Sequence, residues 1–274
     1  MAQTDLTALV TGGTSGIGRA VVAALAAKGC TVITTSRDPE RLAPEQRVSG
    51  VRYLRLDLSD PDGPDALAEE LGEEIGAVDV LINNAGESQS GPFEELPSAA
   101  IDRLFQTNVF GPVRLSQLVL PGMRRRGHGR IIMVGSMLAS FPLAHRSSYA
   151  ASKAALAGFA TAARQELSPF GVWISVVEPG SIATGIGLRR TKYLDEGSVY
   201  ATDVSTMLEH LDRNERDGIA PETVAATIVD AVISPRPREL YAVGSRAPLP
   251  FLLKRILPRG LMSKIVAAQH GLRR

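Results

Sequence analysis

Thr11-Gly12-Gly13-Thr14-Ser15-Gly16-Ile17-Gly18 is the stretch on which the reading of this chain turns. It follows a short apolar run, Leu6-Thr-Ala-Leu-Val10, and leads into a helical pattern carried by Ile17, Ala20, Val21, Ala24 and Leu25 and closed by Gly29. The order is strand, glycine turn, helix. Glycines at 12, 16 and 18 let the backbone turn tightly and approach a ligand, and the helix N-terminus offers unpaired N–H groups and positive dipole to a pyrophosphate. An ordinary strand-to-helix turn uses the same glycines, which alone do not separate the two readings. The position directly after a strand favours a dinucleotide site.

Working outward, Thr31–Thr35, Val51–Leu58, Val78–Ile82, Arg130–Val134, Val172–Val177 and Glu239–Val243 are further strands by their β-branched and apolar content. Helical stretches at 64–75, 98–126, 148–168 and 221–233 lie between them. Near-continuous apolar strands alternating with helices predict an α/β fold: a single doubly wound Rossmann domain with a seven-stranded parallel sheet and helices on both faces. The alternation lapses only at 180–220. In an open parallel sheet ligands bind beyond the carboxyl ends of the strands, so this segment is expected to be a substrate lid.

The 274 residues, 44% hydrophobic, supply a core for one such unit, and a formal net charge of +1 argues against a nucleic-acid partner. A single cysteine, Cys30, makes no intramolecular disulfide and reads as inert core, and no Cys/His cluster suggests a metal. With no secretory pattern at the N-terminus and no membrane-length apolar run, a cytoplasmic location is expected. The charge is unevenly spread. Residues 246–274 hold seven Lys/Arg and no acid, which leaves 23 basic against 29 acidic residues before them. The chain therefore divides into a domain at 1–245, lid included, and a basic amphipathic tail at 246–274. Leu249, Phe251, Leu252, Leu253, Ile256 and Leu257 punctuate that tail. It reads as a flap over an apolar pocket with peripheral contact to an anionic membrane, or as a helix packed on the core with its cations in water.

Together with Asn83-Asn84-Ala85-Gly86 and Tyr149-Ala-Ala-Ser-Lys153, the glycine stretch resembles the short-chain dehydrogenase/reductase family, over about Ala8 to Val243. Asn108-Val-Phe-Gly111, Ser136 and Pro179-Gly180 look most like the branch holding 17β-hydroxysteroid and retinol dehydrogenases. Tyr149 and Lys153, four apart, share one helix face. A phenol with its reference pKa of ~10 can donate a proton at neutral pH but is slow to take one, and a nearby ammonium favours the phenolate. Lys153 is thus expected to lower Tyr149, and the resemblance implies that it also hydrogen-bonds the nicotinamide ribose. Ser136 matches the family's hydroxyl that orients the substrate carbonyl. Asn108 matches the asparagine that distorts its helix and holds a proton-relaying water. The implied reaction is hydride transfer between nicotinamide C4 and a carbonyl or carbinol carbon, with Tyr149 as general acid or base and no metal.

The same resemblance assigns cofactor contacts to Gly12, Thr14, Ser15, Gly16, Ile17 and Gly18, and to Asn84, Ala85 and Gly86 past the fourth strand. Pro179, Gly180, Ile182 and Thr184 would hold the carboxamide. Asp57, with Leu58, would meet the adenine, although a strand-end aspartate also reads as a turn cap. A homodimer or homotetramer packed through the helices at 98–126 and 148–168 is implied as well.

A Rossmann site selects NAD with an acid at the end of the second strand. That position, 24 residues after Gly12, is Ser36, followed by Arg37. Arginine can hold a 2′-phosphate through two charge-assisted hydrogen bonds, and Ser15 can add a hydroxyl, so NADP(H) is expected over NAD(H). Asp38 is the counter-argument, unless it pairs with the arginine or caps a helix. The expected substrate is a fairly apolar ketone or secondary alcohol, steroid-, retinoid- or lipid-like. The apolar Met137, Leu138, Phe141 and Leu143 would shape its pocket, and His145 among them reads as a solvated loop residue. A 3-ketoacyl thioester on an acidic carrier is the alternative, and a non-catalytic NADP-sensing scaffold is the reading from another class. The cluster Arg124–Arg130 reads as cations at a helix C-terminus.

Overall fold

Strand β1 (Thr7–Val10) carries Ala8, Leu9 and Val10 at zero exposure, as a strand covered on both faces requires. In the computed structural model, which describes residues 6–272, it is an interior strand of the main sheet. The other strands are β2 (Thr31–Ser36), β3 (Arg52–Arg55), β4 (Val80–Asn83), β5 (Gln89–Ser90), β6 (Gly129–Val134), β7 (Val172–Pro179), β8 (Thr191–Lys192) and β9 (Leu240–Val243). Seven of them form one parallel sheet in the order β3-β2-β1-β4-β6-β7-β9. The doubly wound, seven-stranded fold expected from the alternation is the fold observed. Its winding reverses between β1 and β4, and the crevice outside their carboxyl ends is where such sheets bind ligands.

Side-chain alternation along the strands divides the core. Ala8, Val10, Ile82 and Ile132 point to one face, covered by α1 (Gly16–Ala27) through Val21 and Leu25 and by α8 (Pro221–Ile233) through Val224 and Ile228. Leu9, Leu81 and Ile131 point to the other, covered by α2 (Gly63–Leu71), α4 (Gly111–Arg126) and α6 (Ser147–Leu167) through Leu67, Leu115 and Leu156. Gly127, left-handed at φ 65°, ends α4. In the Arg124–Arg130 cluster, Arg124 and Arg125 are exposed cations in the last turn of α4, while Arg126 and Arg130 tie the chain together. Arg126 donates to the Val78 carbonyl at 2.7 Å, and buried Arg130 donates to the carbonyls of Gly129 and Ser234.

Three elements differ from the expected pattern. The third strand ends at Arg55, not Leu58, because the chain turns at Asp57, whose Oδ1 accepts from the Ser59 N–H at 2.9 Å and its hydroxyl at 2.7 Å. The helix expected over 98–126 is three segments: α3 (Ser98–Phe105), a π-helical turn at Gln106–Phe110, and α4. The 180–220 segment holds α7 (Ala201–Arg216) and β8, which pairs with β5 in a separate parallel ribbon.

The tail forms α9 (Leu249–Ile256) and α10 (Arg259–Gln269). Met262, Val266 and Ala267 of α10 are buried against Met207 and Leu211 of α7 and against Met137 and Phe141 around α5 (Met137–Ser140). Phe251 of α9 meets Phe141 edge-on, with ring centroids 5.0 Å apart. Arg246, Lys254, Arg255, Arg259 and Lys264 are exposed; Arg273 and Arg274 lie outside the described residues.

Candidate active site

A cleft of about 1290 Å³ opens at the carboxyl ends of β1 and β4, where the sheet reverses. Its floor is fixed by Thr11. The Thr11 hydroxyl oxygen accepts the N–H groups of Asn84 and Ala85, each at 2.9 Å, and Asn84 Nδ2 donates back to the Thr11 carbonyl at 2.9 Å. The glycine loop and the loop after β4 are thereby stitched into one surface. Gly12 and Gly16 take positive φ, 70° and 52°, where a side chain would be strained. A Cβ on Gly18 would stand 2.3 Å from the Gly12 carbonyl oxygen, so only glycine lets α1 start this close to the floor. Ser15 precedes α1 without using its hydroxyl as a cap; that oxygen instead accepts from Arg189 Nη1 at 3.0 Å.

At the adenine end of such a site, Arg37 is exposed on the cleft rim beside Ser36 and Asp57. Asp38 does not pair with it. Its carboxylate meets Arg41 at 3.1 Å, and its N–H donates to Ser36 Oγ at 3.3 Å. Asp57 is held below the usual carboxylate range. Burial opposes this, but the two hydrogen bonds from Ser59 and the charges of Arg37 and Arg103 outweigh it. It is both a turn cap and a cleft residue.

At the far end, Tyr149 is buried near the start of α6, and its phenol is hydrogen-bonded to Ser136, which follows β6 and caps α5 by accepting the Leu138 N–H. Lys153 lies one turn on, and its Nζ donates to the Val134 carbonyl at 2.8 Å. Burial pulls Lys153 down to about 8. It pushes Tyr149 up, opposed first by the charge of Arg146 and then by the Ser136 hydrogen bond. Arg146 is the foremost cation acting on the phenol in this arrangement, with Arg190 a weaker second. Asn108, fully buried in the π-helical turn, grips Glu87 on both sides and donates to Ser152 Oγ at 3.1 Å. A Cβ on Gly86 would stand 3.0 Å from Asn108 Oδ1 and 3.5 Å from Lys153 Nζ, which puts the three groups at one corner.

The remaining wall comes from Pro179 at the end of β7 and from Gly180, Ile182 and Thr184 past it. Of the catalytic and cofactor residues singled out in the sequence, all line this one cleft except Gly18 and Asn108, which stand directly behind its surface; of the four apolar residues expected to shape the substrate pocket, Met137, Leu138 and Phe141 line it, whereas Leu143 is buried in the core behind them.

A family model described as short chain dehydrogenase matches residues 6–193. The chain belongs to that family. Short-chain dehydrogenases are oxidoreductases that use NAD(P), so the chemistry is redox exchange between an alcohol and a carbonyl. The chain is 33% identical to dehydrogenase/reductase SDR family member 7B of Xenopus laevis, covering 91% of this chain and 77% of that one. It is 30% identical to 3-ketodihydrosphingosine reductase of Bacteroides thetaiotaomicron, covering 97% and 98%. A solved short-chain dehydrogenase from Streptomyces avermitilis superposes with a TM-score of 0.81 at 31% identity over 99% of both chains.

Several residues of this short-chain dehydrogenase site escaped the sequence reading. In the sequence Thr11 is only the first residue of the glycine stretch, with no role of its own. Arg146 is not singled out there, although its i,i+3 spacing to Tyr149 puts the two on one face. His145 is buried rather than solvated, at φ 61°, with its carbonyl accepting the Gly91 N–H and its ring edge-on to Tyr200.

Proposed function

We propose that this protein is an NADP(H)-dependent oxidoreductase that interconverts a ketone and a secondary alcohol on a long, apolar substrate. The observation that carries the reading is Tyr149: a buried phenol on the Ser136 hydroxyl, one turn from Lys153, at the end of a cleft whose other end is a glycine-built helix N-terminus. Those residues fit a dinucleotide. Gly12, Gly16 and Gly86 leave the space a Cβ would take, and the start of α1 meets negative charge with its dipole. Arg37, left unengaged by Asp38, would take the 2′-phosphate together with Ser36 and Ser15, which supports NADP(H) over NAD(H).

When bound, the nicotinamide supplies or accepts the hydride. Tyr149 then donates its phenolic proton to the oxygen of a ketone undergoing reduction, or takes the hydroxyl proton of an alcohol undergoing oxidation. Ser136 orients that oxygen beside the phenol. Lys153 would hold the nicotinamide ribose, and Asn108 keeps the Gly86–Glu87 backbone in place beside it.

The apolar character of the substrate is supported by the cleft's outer wall, where Met137, Leu138 and Phe141 face Leu211 of α7 and Leu253, Met262 and Ile265 of the tail. In this reading the 180–220 segment and the tail together form the cover. The keto-lipid named for the Bacteroides relative has the chemistry this wall suits. One observation favours a second substrate reading: the exposed tail cations near the cleft mouth would suit an acidic acyl carrier bearing a 3-ketoacyl thioester. The same tail presents Leu252 and Ile256 outward among those cations, which supports peripheral contact with an anionic membrane. Among the described residues no helix is long and apolar enough to cross one. Exposed Phe110 and Phe159, on the π-helical turn before α4 and on α6, support a homo-oligomer formed through those helices.

The test is a panel of long-chain ketones, secondary alcohols and acyl-carrier thioesters, each offered with both nicotinamide cofactors. Turnover of the free ketones with NADPH is expected to exceed the rest. Selective turnover of carrier thioesters would favour the second reading, and tight cofactor binding with no turnover would favour a scaffold.

A further inference from the structure

We infer that Arg146 is a positioning residue for the tyrosine chemistry: a buried guanidinium stacked on the Tyr149 ring that acts as its standing positive charge. The inference rests on Tyr149 being the acid or base, and goes beyond it by naming what sets its proton affinity.

Arg146 is 3% exposed, and its guanidinium carbon lies 4.4 Å from the centroid of the Tyr149 ring. Nη1 donates to Ser90 Oγ at 2.9 Å, and Nε is buried with no acceptor among the described residues. Ser90 is itself fixed, because its carbonyl accepts the Tyr193 N–H where β5 pairs with β8. A buried guanidinium normally has a carboxylate beside it. The nearby carboxylates are already engaged: Arg190 takes Asp212 at 2.9 Å and also Glu215. The partners of Arg146 are thus a neutral hydroxyl and a ring face.

That arrangement favours one change above others. When Tyr149 loses its proton, the buried cation gains a counter-charge within a few ångströms in a dry setting, where Coulomb attraction is strong. The other charged and titratable groups facing the pair do not replace it. Lys153 is directed at the Val134 carbonyl; Glu215 of α7 opposes phenolate formation, while Arg190, which holds both Glu215 and Asp212, favours it more weakly than Arg146 does; and His145 and His270 flank the site. In reduction the same cation makes Tyr149 a stronger acid; in oxidation it makes the phenolate available at lower pH.

The test reads the tyrosine directly. Protein with ring-labelled tyrosine, without substrate, is titrated by NMR, the Tyr149 signal being assigned through Tyr149→Phe. Arg146→Met is expected to raise the Tyr149 titration by about one pH unit or more, which is tenfold less phenolate at a given pH below it. Arg146→Lys, which keeps the charge but not the planar stack, is expected to recover part of that shift. In alcohol oxidation the alkaline rise of kcat moves by the same amount while the KM for cofactor stays put. Should Arg146→Met fail to fold, Ser90→Ala, which removes the Nη1 acceptor and leaves the charge, is expected to move the titration in the same direction by less. A Tyr149 titration unmoved in all the folded variants, even with turnover reduced equally at every pH, overturns the inference and leaves the wild-type activity, and so the proposed function, standing. Failure of that function would appear instead as wild-type protein with no turnover.

Discussion

Asn108 holds the peptide of Glu87 at both ends: its Oδ1 accepts the Glu87 N–H at 2.8 Å and its Nδ2 donates to the Glu87 carbonyl at 3.0 Å. Both bonds are made from the π-helical turn, which rotates residue 108 off the regular helix and toward the loop after β4. Asn108→Ala leaves a part-buried N–H and carbonyl of Glu87 unpaired, so a stability loss of about 1–3 kcal/mol is expected in denaturant unfolding, with weaker cofactor binding because Gly86 is released. A variant as stable as wild type would show that the grip is incidental.

Ser36→Asp combined with Arg37→Ala is expected to reverse cofactor preference. The substitutions delete the attraction for a 2′-phosphate and install a carboxylate that binds the ribose hydroxyls and repels the phosphate. The measurement is kcat/KM for NADPH and NADH in both proteins. A wild-type protein that favours NADH would mean that Asp38 leaves Arg41 to read the ribose.

Lys153 is pulled from its ordinary 10.5 down to about 8 by burial, so between those values the folded protein binds fewer protons than the unfolded chain. Stability from this group is therefore lowest below about pH 8 and rises with pH from there to about 10.5. Lys153→Met removes the titration. The stability of the variant relative to wild type is expected to be greatest near neutrality and to shrink by an amount on the order of 3 kcal/mol as pH is raised toward 10.5. A difference constant across that range would contradict the depressed value.

In the tail, Leu253 faces the cleft while Leu252 and Ile256 face outward, 55% and 75% exposed. Leu253→Ala is expected to raise KM for a long-chain ketone about tenfold and leave NADPH affinity alone, a loss in keeping with a few methylenes removed from an apolar pocket. Leu252→Glu with Ile256→Glu should leave the KM for a water-soluble ketone unchanged and abolish sedimentation with anionic vesicles. Wild-type protein that does not sediment would rule out the membrane contact.

The fold was legible because its signals are local. Buried parallel strands such as Val80–Asn83 carry no polar alternation, and Gly12 and Gly16 need a backbone that only glycine adopts cheaply. The site was legible wherever a residue sits at a strand end or a helix start, as Ser136 and Tyr149 do. The π-helical turn was legible only through the resemblance, which implies that Asn108 distorts its helix; the residues alone do not mark it, because Thr107, Asn108 and Val109 are all buried and the extra residue shows only in the hydrogen bonds. Strands of two residues, Gln89–Ser90 and Thr191–Lys192, are too short to leave a period. His145 was misread and Arg146 passed over for one reason: a loop rich in polar residues reads as solvated, and only the ribbon folding over it puts both inside.

The central claim is that Tyr149 moves the proton while the rest of the cleft holds NADP(H), and Tyr149→Phe separates the two. The measurement is the steady-state rate of NADPH oxidation with a long-chain ketone in wild type and variant, with the NADPH dissociation constant determined on the same samples. A fall of roughly 10²–10⁴-fold in kcat with NADPH affinity nearly unchanged is the expected result. Turnover by the phenylalanine variant within a few-fold of wild type would contradict the account.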